Sequence, residues 1–337
     1  MVEGGTGLSI VPQIALVGCG YWGKNLCRNF HSLGALAAVV DATEKGQATA
    51  RYIAPNAIIS DNFDAILIDD QIQGVALATP AETHAELAIQ AMRAGKDVFV
   101  EKPMALSISD AEAMQAVSNE TSRILMVGHL LEYHPAVLKL REVIDSGELG
   151  KINYVYSNRL NFGKVRTEEN ALWSFAPHDV AVILRLLGQS PIEVSASGGS
   201  YLTGGISDVT VSNFRFSDES RAHIFVSWLH PFKEQRLVIV GDKRMATFND
   251  INSFGEKLCV YPQNVEFDGS LPFLKKEDAE FIEHSDSEPL HQECAHFLEC
   301  MKSRNIPLTN AQSGIKVLKV LHACQASIDQ NGMPISI

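Results

Sequence analysis

One lysine stands directly after a predicted strand and directly before a proline. Residues 97–100, Asp-Val-Phe-Val, form a β-branched and aromatic run that predicts a short buried strand. Glu101, Lys102 and Pro103 follow, and Pro103 ends the strand and biases Lys102 toward an extended backbone. Because open α/β sheets bind ligands at the carboxyl ends of their strands, Lys102 is expected to lie at a ligand-binding edge of the sheet. The alternative is a plain solvated lysine at a strand end.

A glycine-rich turn is the second feature with chemical potential. The pattern Gly-x-Gly-x-x-Gly begins at Gly18 and lies between a predicted strand and a predicted helix. Gly18 permits a tight turn, Gly20 lets the backbone approach a pyrophosphate, and Gly23 lets helix and strand pack closely. The helix N-terminus offers N–H groups and a positive dipole end to phosphate. The turn, with Tyr21 and Trp22 inside it, is therefore a candidate dinucleotide site.

An acidic residue ends the next predicted strand, residues 36–40. Asp41 lies about where an acid binds the ribose hydroxyls of a dinucleotide. Ala42 follows it, and no adjacent arginine is present for a 2′-phosphate, so the pattern favours NAD over NADP. Alternatively, Asp41 caps the following helix, with Glu44 three residues on, and both roles can hold at once.

Strands and helices alternate through this half of the chain. Further strands are predicted over 57–59, 74–78 and 124–127, and helices over 44–53, 62–68, 82–94 and 107–119. This alternation predicts a parallel, doubly wound sheet, so we place an NAD(P)-binding Rossmann domain at residues 12–130.

A second strand ends as the lysine strand does. Thr79 and Pro80 follow one predicted strand, as Lys102 and Pro103 follow another. Both turns are expected to face the nicotinamide end of a bound dinucleotide. His84, in the next helix, is a candidate for the same site, with a polar helix-face histidine as the alternative.

These motifs resemble those of one oxidoreductase family. The likeness is carried by Ala78-Thr79-Pro80, His84, Ala94-Gly95-Lys96 and Glu101-Lys102-Pro103, preceded by the glycine turn. They are similar to motifs of the glucose–fructose oxidoreductase/inositol dehydrogenase/MocA-like (Gfo/Idh/MocA) family, and the likeness extends over the chain from Gln13 on. It implies an α/β fold with a Rossmann domain, then an α+β domain with a large open antiparallel sheet. It also implies tightly held NAD(P) and redox chemistry on a sugar, cyclitol or related alcohol.

The resemblance also assigns roles to single residues. It makes Lys102 catalytic and implies cofactor contacts from Gly18, Gly20, Tyr21, Trp22, Gly23, Asp41, Thr79, Pro80, His84, Glu101 and Lys102.

His178 is the second catalytic candidate. It is expected near the start of a helix that opens at Leu172, and it precedes Gly188 by ten residues. The family's acid/base histidine has the same spacing, so the resemblance implies that His178 takes the hydroxyl proton while Lys102 donates a hydrogen bond to the same oxygen.

The sequence departs from the family around this histidine. The common pattern is Asp-x-Gly-x-His-x-x-Asp, but Ser174, Ala176 and Ala181 replace its Asp, Gly and last Asp. Asp179 and His134 are the remaining candidates to orient the imidazole.

A basic, polar segment precedes His178 and is interpreted as a loop. It contains Arg159, Asn161, Lys164 and Arg166 in a protein of net charge −12. Such cations suit an anionic substrate, because arginine binds phosphate or carboxylate through two hydrogen bonds, and the segment looks similar to the nucleotide-sugar branch of the family. Alternatively, these side chains pair with acids across an oligomer interface. The expected substrate contacts are Tyr133, Arg159, Asn161, Lys164, Trp173, His178 and Asp179.

The rest of the chain predicts a second domain at 131–337. Alternating strands are predicted over 152–158, 192–198, 208–216, 221–229, 235–240, 244–249 and 257–261, a loop over 262–288, and helices over 135–144, 289–302 and 311–329. The alternation is typical of a sheet with one covered face, so the other face is expected to pair in a homodimer or homotetramer.

Composition narrows the class of protein. The chain has 337 residues, and its net charge of −12 argues against nucleic acid or an anionic membrane as partner. The six cysteines form no Cys-x-x-Cys pair and are interpreted as reduced thiols of a cytoplasmic protein. Cys294, His296 and Cys300 are interpreted as core positions, and no metal site is expected.

The sequence thus predicts an NAD-dependent dehydrogenase or ketoreductase acting on a secondary alcohol of a sugar, perhaps a nucleotide sugar or uronate. Three alternatives stay open: an inositol or free-sugar dehydrogenase, a non-catalytic NAD-binding regulator, and a non-redox reaction that proceeds through transient oxidation.

Overall fold

The computed structural model describes residues 11–163, 165–262, 264–275 and 277–337. The helices are α1 (Gly23–Ser32), α2 (Glu44–Ile53), α3 (Phe63–Leu67), α4 (His84–Arg93), α5 (Ile108–Thr121), α6 (Pro135–Asp145), α7 (Ala171–Leu187), α8 (Pro289–Ser303) and α9 (Ala311–Asp329). The strands are β1 (Ile14–Val17), β2 (Leu36–Val40), β3 (Ile58–Ser60), β4 (Gly74–Leu77), β5 (Asp97–Glu101), β6 (Leu125–Gly128), β7 (Ile152–Leu160), β8 (Glu193–Gly199), β9 (Val209–Arg215), β10 (Arg221–Ser227), β11 (Glu234–Gly241), β12 (Met245–Asn249), β13 (Leu258–Tyr261), β14 (Asn264–Asp268), β15 (Leu271–Lys275), β16 (Glu280–Phe281) and β17 (Ile335–Ser336). Short 3-10 turns lie at Ala81–Thr83, Leu130–Tyr133 and Phe254–Glu256.

The contacts divide the chain into two units. The first extends to Gly128 and includes Leu290–Gly314, and the second comprises His129–Pro289 and Ile315–Ile337. The segment from Leu290 thus joins the first unit, although the sequence-based division leaves it in the second domain. The reason is aromatic packing: Phe297 on α8 lies edge to face against Phe30 and Phe99, at centroid distances of 6.4 and 5.9 Å.

The first unit contains the predicted parallel, doubly wound sheet, which is confirmed. Its strand order is β3-β2-β1-β4-β5-β6, and every pairing is parallel. All residues of β1, β4, β5 and β6 are buried, as expected for strands covered by helices on both faces.

The register of this sheet aligns the ends of five strands. One row across it consists of Val40, Val17, Leu77, Val100 and Val127. The next residue of each strand therefore lies at the same carboxyl edge; these are Asp41, Gly18, Ala78, Glu101 and Gly128. This edge holds both features that the sequence singled out in this half.

The second unit contains a nine-stranded sheet in the order β16-β13-β12-β11-β7-β10-β9-β8-β17. The predicted open antiparallel architecture is confirmed, with one parallel pairing between β7 and β10. One face packs on α6, α7 and α9, where Phe214, Ile224 and Val226 join a continuous apolar core. The edge strand β17, which the sequence analysis does not predict, pairs with β8.

The predicted loop over 262–288 is wrong. β14 and β15 form an antiparallel hairpin in which Val265 pairs with Leu274, and β16 follows. The connection is Gly269-Ser270, and Gly269 has a φ of +61°. A two-residue Gly-Ser connection is a hairpin signal, but the charged residues of the segment hide the strand pattern on either side.

Two boundaries near the second catalytic candidate also differ from the prediction. β7 continues to Leu160, so Arg159 lies on a strand and not in a loop. α7 begins at Ala171, because the Asn170 side chain accepts a hydrogen bond from Trp173 N at 3.2 Å and caps the helix. This start is one residue before the predicted one, and His178 lies about two turns into α7.

Candidate active site

Two glycines of the turn are required by the packing of the protein itself. Gly18 has a φ of +91°, and a Cβ built there would lie 2.7 Å from the Ala78 carbonyl oxygen. A Cβ at Gly23 would lie 2.0 Å from the Gly18 carbonyl oxygen. Any side chain at either position would push the turn away from β4 or α1 away from the turn.

No steric clash within the described residues requires a glycine at position 20, the middle glycine of the turn. A Cβ built at Gly20 would meet no other atom within 4 Å. The space beside Gly20 is therefore open, and it lies before α1, which has no side-chain cap and no acidic residue in its first turn. Uncapped helix N–H groups beside an uncluttered backbone fit the pyrophosphate of a dinucleotide.

Asp41 holds the second strand end against the turn. Its Oδ2 accepts a hydrogen bond from Cys19 N at 2.6 Å, and its Oδ1 accepts from Thr43 N at 2.8 Å and Thr43 Oγ1 at 2.7 Å. Burial favours the neutral acid, but these hydrogen bonds outweigh it and lower the pKa of Asp41, so the carboxylate is ionised. The alternative that Asp41 caps α2 is wrong, because the cap is Thr43, which accepts from Gly46 N.

Lys102 occupies the predicted position at the carboxyl edge. β5 ends at Glu101, and Lys102 follows it at once. Because Leu77 pairs with Val100, the parallel register places Thr79 level with Lys102 at the next strand end. The Lys102–Pro103 peptide bond is cis.

His84 connects these two strand ends from below. Its Nδ1 lies 2.9 Å from the Pro103 carbonyl oxygen and its Nε2 lies 2.9 Å from the Thr79 carbonyl oxygen, and the residue is 1% exposed. Burial lowers the pKa of the imidazole, while the two carbonyl contacts oppose this shift. The side chain is thus enclosed under the two turns, and its contact with the cofactor stays a prediction.

The second unit presents His178 on α7. Ser174, four residues earlier, lies on the same face of the helix. Its side chain is buried, and its hydroxyl has no hydrogen-bond partner among the described residues. Pro177 adds a local gap, since it has no N–H to donate to the Trp173 carbonyl.

Asp179 does not lie beside His178 as an orienting group. Its carboxylate accepts from Arg159 Nε at 2.7 Å, Arg159 Nη2 at 3.1 Å and Ser157 Oγ at 2.7 Å. The remaining Arg159 nitrogen lies 3.0 Å from Gln235, whose amide links on to Asp250. Arg159 and Asp179 therefore form an ion pair inside the second unit, and their contacts with a substrate stay a prediction.

His134, the other candidate to orient His178, is engaged elsewhere. Its Nδ1 accepts from Ala136 N at 3.1 Å and so caps α6, and its Nε2 lies 3.4 Å from Asp250. His134 is therefore held by α6 and Asp250 within the second unit.

The other expected substrate residues are scattered over the second unit. Trp173 Nε1 donates to Gln325 at 3.2 Å, Asn161 N donates to the Ser227 carbonyl at 3.1 Å, and Tyr133 is 3% exposed in a 3-10 turn. Lys164 lies outside the described residues. Arg166 pairs with Glu169 at 2.7 Å, so two of the three cations of the basic segment are neutralised within the chain.

Comparison with known proteins then decides the family. A family model described as "Oxidoreductase family, NAD-binding Rossmann fold" matches residues 13–129, and one described as "GFO/IDH/MocA C-terminal domain" matches residues 137–247. The chain belongs to the Gfo/Idh/MocA oxidoreductase family. It is an NAD-binding enzyme, and the glycine turn and Asp41 belong to its NAD-binding domain.

Similar proteins of this family have different names. A 2,7-anhydro-N-acetylneuraminate hydratase of Mediterraneibacter gnavus is 28% identical over 68% of this chain, and the match spans 65% of that relative, less than two thirds. A UDP-N-acetylglucosamine 3-dehydrogenase of Acidithiobacillus ferrooxidans is 25% identical over 91% of this chain and 94% of its own length. The crystal structure of GenD2 from gentamicin A biosynthesis in complex with NAD superposes with a TM-score of 0.82 at 22% identity, covering 100% of this chain and 99% of that one.

The structural roles of two residues of this Gfo/Idh/MocA chain were not predicted from the sequence. Glu101 accepts a hydrogen bond from the indole of Trp22, so the strand that precedes Lys102 is tied to the glycine turn. Glu132 is 3% exposed, and burial raises its pKa to about 8 although Arg185 lies 3.9 Å away. The one sequence signal for Glu132 was an acid inside the apolar run of residues 130–133.

Other classes of site find no support in the described part of the chain. No group of three or more His, Cys, Asp or Glu side chains there is arranged to hold a metal ion. All six cysteines are buried, and none of them forms a disulfide. No described helix combines the length and the apolar character needed to cross a bilayer.

Proposed function

We propose that this protein is an NAD-dependent dehydrogenase that moves a hydride between nicotinamide and a secondary alcohol, or the matching ketone, of a sugar. The observation that carries the proposal is the position of Lys102. It lies one residue beyond β5, on the same sheet edge as a glycine turn whose middle glycine leaves open space. That edge is where open α/β sheets bind dinucleotides.

The residues have separate tasks in this reaction. NAD, when bound, supplies the hydride acceptor. The Lys102 ammonium donates a hydrogen bond to the alcohol oxygen and stabilises the negative charge that develops on it. His178 accepts the hydroxyl proton through an imidazole nitrogen as the carbonyl forms. The glycine turn and the α1 N-terminus hold the pyrophosphate, and Asp41 is the group placed for the adenosine ribose hydroxyls.

For the substrate we propose a nucleotide-linked sugar or a sugar uronate. The support is the likeness to the UDP-N-acetylglucosamine 3-dehydrogenase, which extends over nearly the whole of both chains. The basic segment no longer adds to it, because Arg159 and Arg166 pair with acids of the same unit. An inositol or free-sugar dehydrogenase is the nearest alternative.

A second function has a specific observation in its favour. One relative is named as a hydratase, and it shares the matched region at 28% identity. A hydratase of this fold would use NAD through transient oxidation, so the reduced cofactor would not accumulate. The presence of both Lys102 and His178 argues against a third reading, that of a non-catalytic NAD-binding regulator.

The deciding experiment combines a substrate panel with one variant. The panel contains nucleotide sugars, uronates, inositols and free hexoses. Reduction of NAD⁺ is followed by absorbance, and the masses of the products are measured by mass spectrometry. Loss of two mass units with accumulating NADH supports the dehydrogenase. A gain of one water without net NADH supports the hydratase.

The variant tests the role of Lys102. Lys102→Ala is expected to bind NAD⁺ with nearly unchanged affinity and to turn over roughly 10²–10⁴-fold more slowly, the usual contribution of a positioned acid/base group. Lys139→Ala is the matched control, since Lys139 lies on the surface of α6, where it pairs with Glu142 at 2.8 Å. Turnover of Lys102→Ala within a factor of two of the wild type would remove Lys102 from the mechanism.

We also propose that a second copy of the chain covers the open face of the nine-stranded sheet. On that face Tyr156 stacks on His223 at 5.3 Å, and Val211 is 37% exposed. A homodimer or homotetramer at micromolar concentration, measured by light scattering and dissociated by Val211→Glu, is expected. A monomeric wild type would contradict this.

A further inference from the structure

A side-chain hydrogen bond joins the glycine turn to the strand end that precedes Lys102. The indole Nε1 of Trp22 donates to Glu101 Oε1, although the two residues are 79 positions apart. Trp22 lies inside the turn, next to the first residue of α1, and is 37% exposed. Glu101 is the last residue of β5 and is 8% exposed. We call this contact the Trp22–Glu101 bridge.

The same carboxylate also bonds to the catalytic residue's own backbone. Glu101 Oε2 accepts from Lys102 N at 3.2 Å. One rigid group of two oxygens is thus bonded on one side to the turn and on the other side to the peptide that leads into Lys102. A displacement of the Trp22 indole is therefore passed to the Lys102 backbone through a single carboxylate.

The Glu101 carboxylate lies in the space that the missing side chain of Gly128 leaves on the neighbouring strand. A Cβ built at Gly128 on β6 would lie 3.0 Å from Glu101 Oε2, so even an alanine there would crowd it. Burial raises the pKa of Glu101 to about 7, so the carboxyl is ionised above that pH; an ionised carboxylate can accept from both donors at once, whereas an amide has only one acceptor oxygen. The arrangement therefore depends on the chemistry of a glutamate at position 101 as well as on its shape.

We propose that Trp22 and Glu101 are positioning residues that couple occupation of the glycine turn to the placement of Lys102. This inference rests on the proposed function, in which the turn holds the pyrophosphate of NAD. Binding of the diphosphate beside Trp22 fixes the indole, the indole fixes the Glu101 carboxylate, and the carboxylate fixes the Lys102 peptide. Cofactor binding and catalytic competence are then linked within the first unit.

The test uses ADP, which carries a diphosphate but no nicotinamide ribose and so cannot reach Lys102 as the full cofactor can. Amide hydrogen exchange at Lys102 is measured by mass spectrometry in the presence and absence of saturating ADP. In the wild type, ADP is expected to slow this exchange about tenfold, the effect of one net hydrogen bond. Trp22→Phe keeps an aromatic ring but lacks the indole N–H. Calorimetry is expected to show that this variant still binds ADP. The exchange rate at Lys102 in this variant is expected to be the same with and without ADP.

A second pair of variants keeps the result interpretable if one substitution perturbs folding. Glu101→Gln offers one acceptor to two donors, so it is expected to speed exchange at Lys102. In Trp22→Phe/Glu101→Gln only one donor remains, so the Gln oxygen can serve Lys102 N and exchange is expected to slow again. This partial rescue is not expected if the side chains merely stabilise the fold, in which case the two effects add.

The outcomes separate this inference from the proposed function. If neither ADP nor NAD⁺ binds the wild type, the proposed function fails and the inference fails with it. If ADP binds but exchange at Lys102 does not respond, or responds equally in Trp22→Phe, the inference is overturned and the dehydrogenase proposal stands.

Discussion

The ion pair between Arg159 and Asp179 leads to a prediction that separates stability from substrate binding. The Asp179 side chain is 2% exposed and accepts two hydrogen bonds from Arg159 and one from Ser157. Replacing Arg159 by Met leaves a buried carboxylate with one of its three donors. Removing one partner of a buried pair costs about 3–5 kcal/mol. In a unit of this size that lowers the Tm by roughly 6–20 °C.

The assay is thermal unfolding of three variants, with KM measured well below the lowest Tm. Arg159→Met is expected to lose the stated stability while its KM stays within about twofold, because the guanidinium is occupied by Asp179. Arg159→Met with Asp179→Leu is expected to recover most of the loss, since no charge is then left buried. Arg166→Met is the control; its pair with Glu169 is partly exposed and is worth about 1 kcal/mol or less. An unchanged Tm together with a several-fold higher KM for an anionic substrate would refute this reasoning and make Arg159 a substrate ligand.

Three further predictions concern single groups. Asp41→Ala combined with Ala42→Arg should shift preference from NAD toward NADP, because the acid repels a 2′-phosphate; calorimetric Kd values for both cofactors check this, and a wild type that prefers NADP contradicts it. Glu132 has its pKa raised to about 8, so the folded state holds a proton that the unfolded state releases near pH 4.5, and stability contributed by this group is lost as the pH rises from about 4.5 to 8. Urea unfolding at pH 5.5 and 8 should therefore show a smaller decline for Glu132→Gln than for the wild type, and equal declines would exclude Glu132 as the cause. His84→Phe should lower kcat more than it raises the Kd for NAD⁺, because His84 bonds to the carbonyls of both strand-end turns; the opposite order would place His84 at the cofactor.

The nucleotide half of the site was predictable because its chemistry is local. Gly18, Gly20 and Gly23 lie within six residues, and the strand and helix around them have short-range signals. The position of Lys102 was equally predictable, because Lys102 lies between the end of a strand and a proline. A parallel register then brings such strand ends to one edge without further information.

The rest of the site depends on partners that are distant in sequence. Nothing near Arg159 indicates that Asp179, on another element, takes its guanidinium, so a buried ion pair was interpreted as a ligand-binding loop. The Trp22–Glu101 bridge was hidden for the same reason. The hairpin of β14 and β15 was missed for a different reason: its Gly-Ser turn was present in the sequence, but charged neighbours masked the strands.

The aromatic cluster of Phe30, Phe99 and Phe297 has a consequence for the order in which the chain folds during synthesis. Two of its rings come from the first hundred residues, and the third arrives about two hundred residues later. Until α8 leaves the ribosome, the NAD-binding unit lacks one side of its core. Phe30 and Phe99, each 0% exposed in the complete fold, then lack the Phe297 ring that packs against them. The usual sequence, in which an N-terminal domain finishes before the next one emerges, does not apply to a unit built from two separated segments. A nascent chain of this protein must therefore keep an incomplete nucleotide-binding unit from aggregating while the whole second sheet is still being made.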